Sequence, residues 1–396
     1  MNITAEKIKD IKKYATAPAL TKEKLDYAVA EICKVLDKNL GVFRTKFPAE
    51  SSENNIYPAV ENDDGWGQGF WTGILWIAYE LTGNEKYKEV ATAQIPTFLD
   101  RIKEKRGVYH HDMGFLYIPS CVAAYKLTGN EEAKEAAILA ADQLMTRYHE
   151  KGEFIQAWGE LDKPEHYRLI IDCMLNIPLL YWASEVTGDD KYEKAAFNHF
   201  KSTASNIFRN DGSTYHTFYF DVETGAPLKG VTHQGFSDDS CWARGQAWGI
   251  YGFMLTYMHK RNPEAVELFK TAANYFLNRL PEDYVAYWDI IFTDGKEQER
   301  DSSSAAIAAC GLIEGASALP DTDPDKELYV NAAMHMVNSL IDNYITKDTD
   351  SNGLLLHAVY AKPQELGIDE CNIWGDYFYI EALARLIKGN DFKAYW

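Results

Sequence analysis

Two aspartates stand in the chain where acid–base chemistry on a sugar would need them. Asp112 lies in His110-His-Asp-Met-Gly-Phe115, and Asp172 in Leu169-Ile-Ile-Asp-Cys-Met-Leu-Asn176. Each sits where a turn-like stretch gives way to a long apolar helical pattern. Two carboxylates facing one opening repel, so one holds its proton to higher pH and acts as an acid while the other stays ionised. Asp112 alone reads equally well as a helix N-cap, a position Asp favours. Asp172 is flanked by Ile170, Ile171, Met174 and Leu175, where a charge is costly unless it is hydrogen-bonded or put to use. A satisfied structural Asp is the duller reading. Arg244 and Trp248 are one turn apart on a helical pattern and share a face. An aromatic ring beside a cation suits a uronate, with the sugar stacked and its carboxylate held. The plainer alternative is a core Trp beside an Arg tied to one of many acids. His111, His216 and His233 lie in loop-like stretches. Neither a His-Glu-x-x-His nor a Cys/His ligand spacing occurs, so no metal is expected.

These residues need elements to hold them, and the chain repeats one grammar. A turn leads into an apolar helix rich in small and aromatic residues, then a break, then a charged amphipathic helix. Six apolar segments start near Gly69, Gly114, Asp172, Trp242, Asp301 and Asn372. The first three end in Thr-Gly, at Gly83, Gly129 and Gly188, each followed by Asn or Asp. Gly closes the helix in the left-handed conformation and the Asn or Asp caps the next one. Helices apolar nearly all round belong inside and charged ones outside. Six inner–outer hairpins closing on themselves predict an all-α (α/α)6 barrel, a single catalytic domain over residues 1–396. In such a barrel the inner helices run parallel, so their N-terminal ends share one mouth. The residues expected there are Trp66, Gln68, His111, Asp112, Arg168, Asp172, Gln234, Arg244, Trp248, Asp301, Trp374 and Asp376. Helix N-termini also favour an anionic ligand.

Bulk properties narrow the partners. A net charge of −19 argues against nucleic acid and anionic membranes, both of which require a basic face. An anionic substrate would need a local cluster of Arg and His. The 13% aromatic content, with 25 Tyr and 10 Trp, suits sugar binding as well as a large core. The N-terminal residues carry no apolar signal region and no stretch approaches membrane-spanning length, so a cytoplasmic protein is expected. The six cysteines are far apart with no Cys-x-x-Cys and read as reduced, buried residues. Gly65-Trp-Gly-Gln-Gly69 follows no strand and is no dinucleotide loop. Gly235-Phe-Ser-Asp-Asp239 is no nucleophile elbow.

Longer runs carry a resemblance. His110-His-Asp-Met-Gly-Phe-Leu-Tyr117, Gln156-Ala-Trp-Gly-Glu160, Tyr167-Arg-Leu-Ile-Ile-Asp-Cys-Met-Leu-Asn176 and Asp238-Asp-Ser-Cys-Trp-Ala-Arg-Gly-Gln-Ala-Trp-Gly-Ile-Tyr-Gly252 closely resemble unsaturated glucuronyl hydrolases, glycoside hydrolase family 88. So do Tyr287-Trp-Asp289 and Asn372-Ile-Trp-Gly-Asp-Tyr377. The resemblance implies the same barrel, no cofactor, and substrates left by polysaccharide lyases: glycosaminoglycan oligosaccharides, chiefly disaccharides, with a 4,5-unsaturated uronic acid at the non-reducing end. It implies hydration of the C4=C5 enol ether rather than attack at the anomeric carbon, so the carboxylate-spacing rule of ordinary glycosidases does not apply. By the same resemblance Asp172 is proton donor and water-activating base, and Asp112 its partner. Substrate contacts are implied for Trp158, His216, Gly230, Thr232, Gln234, Arg244 and Trp248, with His111 beside them. Where members favouring sulfated disaccharides carry Arg, and Ser and Lys in a second loop, this chain has His233, Gln364 and Leu366, with Glu365 added. That set should hold a sulfate weakly. The rival readings are an unsaturated rhamnogalacturonyl hydrolase, a sugar epimerase using histidines as proton shuttles, and a non-catalytic sugar-binding barrel. Oligomeric state is not legible in the sequence.

Overall fold

A computed structural model of the chain describes residues 3–161, 163–294 and 297–396. It forms an (α/α)6 barrel. The inner ring comprises Gln68–Thr82, a helix running from Met113 to Thr128, Pro178–Thr187 with the turn Ile171–Leu175 ahead of it, Ala243–Lys260, Ser302–Ala318 and Ile373–Lys388. These helices are buried on nearly every side: Gln68 through Ala78 is buried without a break, as composition required. The second inner helix widens into a π turn over Ile118–Val122, which contains Pro119. Proline lacks the N–H of the regular ladder and crowds the carbonyl one turn back, which a wider turn relieves.

The outer helices Glu85–Lys103, Glu131–Met145, Lys191–Asn206, Pro263–Leu277 and Lys326–Asn343 each follow an inner one. Gly83, Gly129 and Gly188 take left-handed conformations, and Asn84 and Asn130 cap the next helix. After Gly188 it is Asp189 that accepts from the Lys191 N–H. The order of the sixth pair departs from the repeat. No outer helix follows Ile373–Lys388. Its place is taken by the N-terminal helix Lys22–Asn39, where Lys24 pairs with Asp342 at 2.5 Å and Asp37 accepts from the Tyr87 hydroxyl at 2.9 Å. The ring is thus closed between the fifth outer helix and the first. Closure is a tertiary event with no local signature, which is why the repeat alone misplaced it.

The connections from outer to inner helices carry short strands. The largest sheet joins Arg168–Ile170, Thr217–Phe220 and Pro227–Val231, antiparallel throughout, and a separate hairpin pairs Ala358–Ala361 with Leu366–Glu370. One continuous apolar core runs from Ile8 to Trp396. All six cysteines are free, and five are buried. Among the described residues no helix is long and apolar enough to cross a membrane.

Candidate active site

The inner helix starts converge, as contacts among them demonstrate. Trp66 stacks on Trp374 at 4.8 Å and lies against Phe115 at 5.6 Å. Arg244 is paired with Asp301 at 3.1 Å. Between these ends lies a cavity of about 150 Å³, walled by Trp66, His111, Asp112, Trp158, Ile170, Asp172, His216, His233, Gln234, Trp242, Arg244, Trp248 and Tyr360. Both aspartates therefore face one opening. Gln68, Asp301 and Asp376, also expected at the mouth, are buried in structural bonds: Gln68 to Glu50 and Arg101, Asp301 to Arg244 and Ser303, Asp376 to Tyr57 and the Leu355 N–H.

Asp112 occupies the N-cap position of Met113–Tyr117, but its side chain caps nothing. Its carboxylate is turned into the cavity, 3.1 Å from His110 Nδ1, 3.4 Å from His111 Nε2 and 3.4 Å from Asn176 Nδ2. Asp172 lies in the first turn of Ile171–Leu175, its Oδ1 3.3 Å from the same His111 Nε2. That oxygen is buried without a well-formed hydrogen bond, so Asp172 is no satisfied structural acid. One imidazole nitrogen thus stands between the two carboxyls, and with its proton on that nitrogen it faces both. Burial holds His111 neutral, its pKa lowered to about 4, so it offers an N–H dipole rather than a full charge.

The two carboxyls are driven apart. Burial pushes Asp172 well above the usual Asp range, and the nearby charge of Asp112 pushes it further. Burial acts on Asp112 in the same sense, but His111, the nearby His110 ring and the hydrogen bond from Asn176 outweigh it and hold Asp112 below its ordinary value. The pair therefore holds a proton to higher pH than two separate carboxyls would, and burial favours Asp172 over Asp112 as the group that keeps it. His111, Asp112 and Asp172 are also the one grouping of His, Cys, Asp and Glu ligand atoms within 4.8 Å of one another among the described residues. A cation would require both carboxylates ionised, which the burial of Asp172 opposes. Two carboxyls of unequal proton affinity beside a neutral imidazole can exchange a proton with a group bound between them.

The remaining walls have distinct states. His216 Nδ1 accepts from the backbone N–H groups of His233 and Gln234, at 2.9 and 3.1 Å. Its proton must therefore reside on Nε2, where it can be donated into the cavity. Burial and the neighbouring His233 and Arg244 hold its pKa well below the ordinary value. A ring locked in this way is poorly placed to take up a proton, which counts against His216 as the shuttle of a histidine epimerase. Arg244 lies between the rings of Trp242 and Trp374, at 4.4 and 4.9 Å. Its terminal nitrogens donate to Asp301, Gln234 and the carbonyls of Val359 and Tyr360. The tied arginine weighed from sequence is therefore what the fold builds, at the cavity wall. It supplies a fixed positive charge and its remaining Nε–H rather than a free bidentate fork.

Trp158 carries the Arg168 guanidinium at 3.9 Å and meets His233 at 5.4 Å. Gly230 and Thr232 do not reach the cavity. A Cβ at Gly230 would fall 2.2 Å from the Tyr215 ring, so only glycine fits there. Thr232 Oγ1 accepts from the Gly235 N–H and its own N–H donates to Asp238, shaping the loop that bears His233 and Gln234. Asp289 fixes the far side of that loop by accepting from Phe236 N–H and Ser240 Oγ. Trp66, Trp242 and Tyr360 line the cavity as well, and of these only Trp66 is among the residues expected at the mouth. Tyr360 accepts from Trp66 Nε1 at 2.7 Å, and it arrives on the hairpin Ala358–Glu370, which helical periodicity does not reveal.

The chain matches the sequence model described as Glycosyl Hydrolase Family 88 over residues 40–382. It is 51% identical over 395 residues to an unsaturated chondroitin disaccharide hydrolase of Streptococcus pneumoniae, covering 100% of this chain and 99% of that one. The crystal structure of an unsaturated glucuronyl hydrolase from Streptococcus agalactiae superposes with a TM-score of 0.97 at 51% identity, covering 100% and 99% of the two chains. A variant of that enzyme complexed with dGlcA-GalNAc6S superposes at 0.90 with 47% identity, over 100% of this chain and 99% of the other.

Proposed function

The chain belongs to glycosyl hydrolase family 88, and from that premise we propose that it releases the 4,5-unsaturated uronic acid from the non-reducing end of lyase-generated glycosaminoglycan disaccharides. The observation that carries the reading is the pair of carboxyls set about one buried imidazole in a single cavity, with burial raising the Asp172 pKa while the groups around Asp112 lower its own. Protonated Asp172 delivers its proton to C4, and positive charge develops at C5, shared with the ring oxygen and balanced by ionised Asp112. Water then bonds to C5, and its proton passes to the Asp172 carboxylate. The resulting hemiketal opens, and the hemiacetal left at C1 releases the neighbouring sugar. Ionised Asp112 contributes where charge develops, as fixed electrostatic stabilisation requires.

Trp158, His216, His233, Gln234, Arg244 and Trp248 are the proposed substrate contacts, with Gly230 and Thr232 acting through the loop they shape. Arg244 offsets the chain's acidity where the uronate would lie. Its relatives from Streptococcus pneumoniae and Streptococcus agalactiae are, respectively, named for a chondroitin disaccharide and complexed with dGlcA-GalNAc6S, which supports this substrate class. We expect little preference for a 6-sulfate. His233 is held neutral by burial, with the charge of Arg168 adding to the effect, while Leu366 and Glu365 offer an anion nothing. A panel of unsaturated chondroitin disaccharides, unsulfated and 6-sulfated, beside a pectin-derived unsaturated rhamnogalacturonan disaccharide, tests the assignment. The two chondroitin substrates should turn over with kcat/KM within several-fold of each other. Turnover of the pectin-derived sugar alone would favour the rhamnogalacturonyl reading.

The free, mostly buried cysteines suit a reducing compartment, and we infer that the enzyme works in the cytoplasm. Recovery of native activity outside the cytoplasmic fraction would contradict this.

A further inference from the structure

We propose that Asn176 is a positioning residue that keeps Asp112 ionised and sets its distance from Asp172. The proposal rests on the reading of the pair given above and deepens it. Asn176 is fully buried. Its Oδ1 accepts the Phe115 N–H at 2.9 Å, which fixes the orientation of the amide: the opposite flip would set two donors against each other. With that orientation, Nδ2 must point to Asp112 Oδ1, at 3.4 Å, and to the Asp172 backbone carbonyl, at 3.3 Å. One side chain therefore joins the start of the second inner helix, the carboxylate of Asp112 and the main chain of Asp172. No other described side chain is hydrogen-bonded to all three.

The packing leaves little room for adjustment. A Cβ at Gly114 would lie 2.4 Å from Asn176 Cα, so the two inner helix starts are in backbone contact at this point. The amide spans a join that has no slack. Asn176 does not itself line the cavity and lies behind Asp112, out of reach of a bound sugar. Its effect must pass through Asp112.

The groups facing Asp112 are His110 and His111 from its own loop, Asp172 and Cys173 from the turn beside it, Arg147 from the end of the second outer helix, and Tyr360 from the hairpin. Arg147 is spent on the carbonyls of Tyr109, Gln156 and Gly159 and does not bond Asp112. His111 is shared with Asp172. Within this set Asn176 is the donor that contacts Asp112 without changing its own charge at any working pH. It favours the ionised form, because a hydrogen bond to a carboxylate stabilises the charge.

The test compares pH profiles of kcat for wild type, Asn176→Ala and Asn176→Asp on an unsaturated chondroitin disaccharide. The Ala variant removes the donor. The Asp variant keeps the size and the acceptor for Phe115 but sets a carboxylate against Asp112, so it decides the matter if the Ala variant fails to fold. Both should move the acid limb to higher pH, lower kcat at neutral pH by about 10- to 100-fold, and leave KM within about twofold. A folded variant whose acid limb coincides with that of wild type overturns the proposal, as does a change confined to KM. A wild-type profile with no acid limb at all would remove the ionised role of Asp112 and the proposal with it. Loss of activity that leaves the limb in place would mark Asn176 as merely structural, and so also overturns it.

Discussion

Asp172→Asn is expected to lower kcat by about 10³-fold or more while KM stays within a few-fold of wild type. The side chain is proposed to give a proton to C4 and take one from water, and an amide does neither. Its size and polarity are nearly those of the protonated acid, so the cavity keeps its shape and substrate still binds. Unfolding would not explain the loss. The folded state raises the Asp172 pKa, so this group contributes stability that is full below the unfolded value and lost as pH rises through the folded one. A neutral Asn has no such loss. The variant should be at least as stable as wild type at alkaline pH, and a thermal melt beside the kinetic assay checks this.

Asp112→Asn should lower kcat by about 10²-fold and change the pH profile as well. In wild type, activity requires ionised Asp112 and protonated Asp172. The acid limb therefore lies below the ordinary Asp range, where Asp112 takes up a proton, and the alkaline limb lies above it, where Asp172 loses one. Removing the Asp112 charge deletes one of the causes that raise Asp172. The alkaline limb of the variant should shift to lower pH, and the acid limb should disappear. An unchanged alkaline limb would mean that the two carboxyls do not sense each other across the cavity, and would overturn the coupling drawn from their shared His111.

How far the sequence reveals these features depends on whether each is local. Alternating apolar and charged helices are legible because burial on every side imposes composition directly, as in Gln68–Ala78. Thr-Gly-Asn boundaries are legible because a left-handed residue and a cap are chemistry within three positions. The place of Lys22–Asn39 is not, since its partners Asp342 and Tyr87 are remote in sequence and nothing local distinguishes it from an N-terminal extension. The same contrast runs through the site. Asp172 among isoleucines and methionine advertises its cost in its own neighbourhood. Arg244 does not advertise that its donors are taken up by carbonyls 115 and 116 residues away. The split in proton affinity is likewise a matter of distances and burial, with His111 placed between two acids by a fold that joins separate helix starts.

The most direct measurement follows the near-ultraviolet absorbance of the conjugated C4=C5 bond in an unsaturated chondroitin disaccharide, with wild type and Asp172→Asn side by side. Wild type should abolish the absorbance as the neighbouring sugar is released, and the variant should bind the disaccharide with the absorbance nearly constant. Release of the sugar with the absorbance intact, or a variant as fast as wild type, would contradict hydration of the double bond by Asp172.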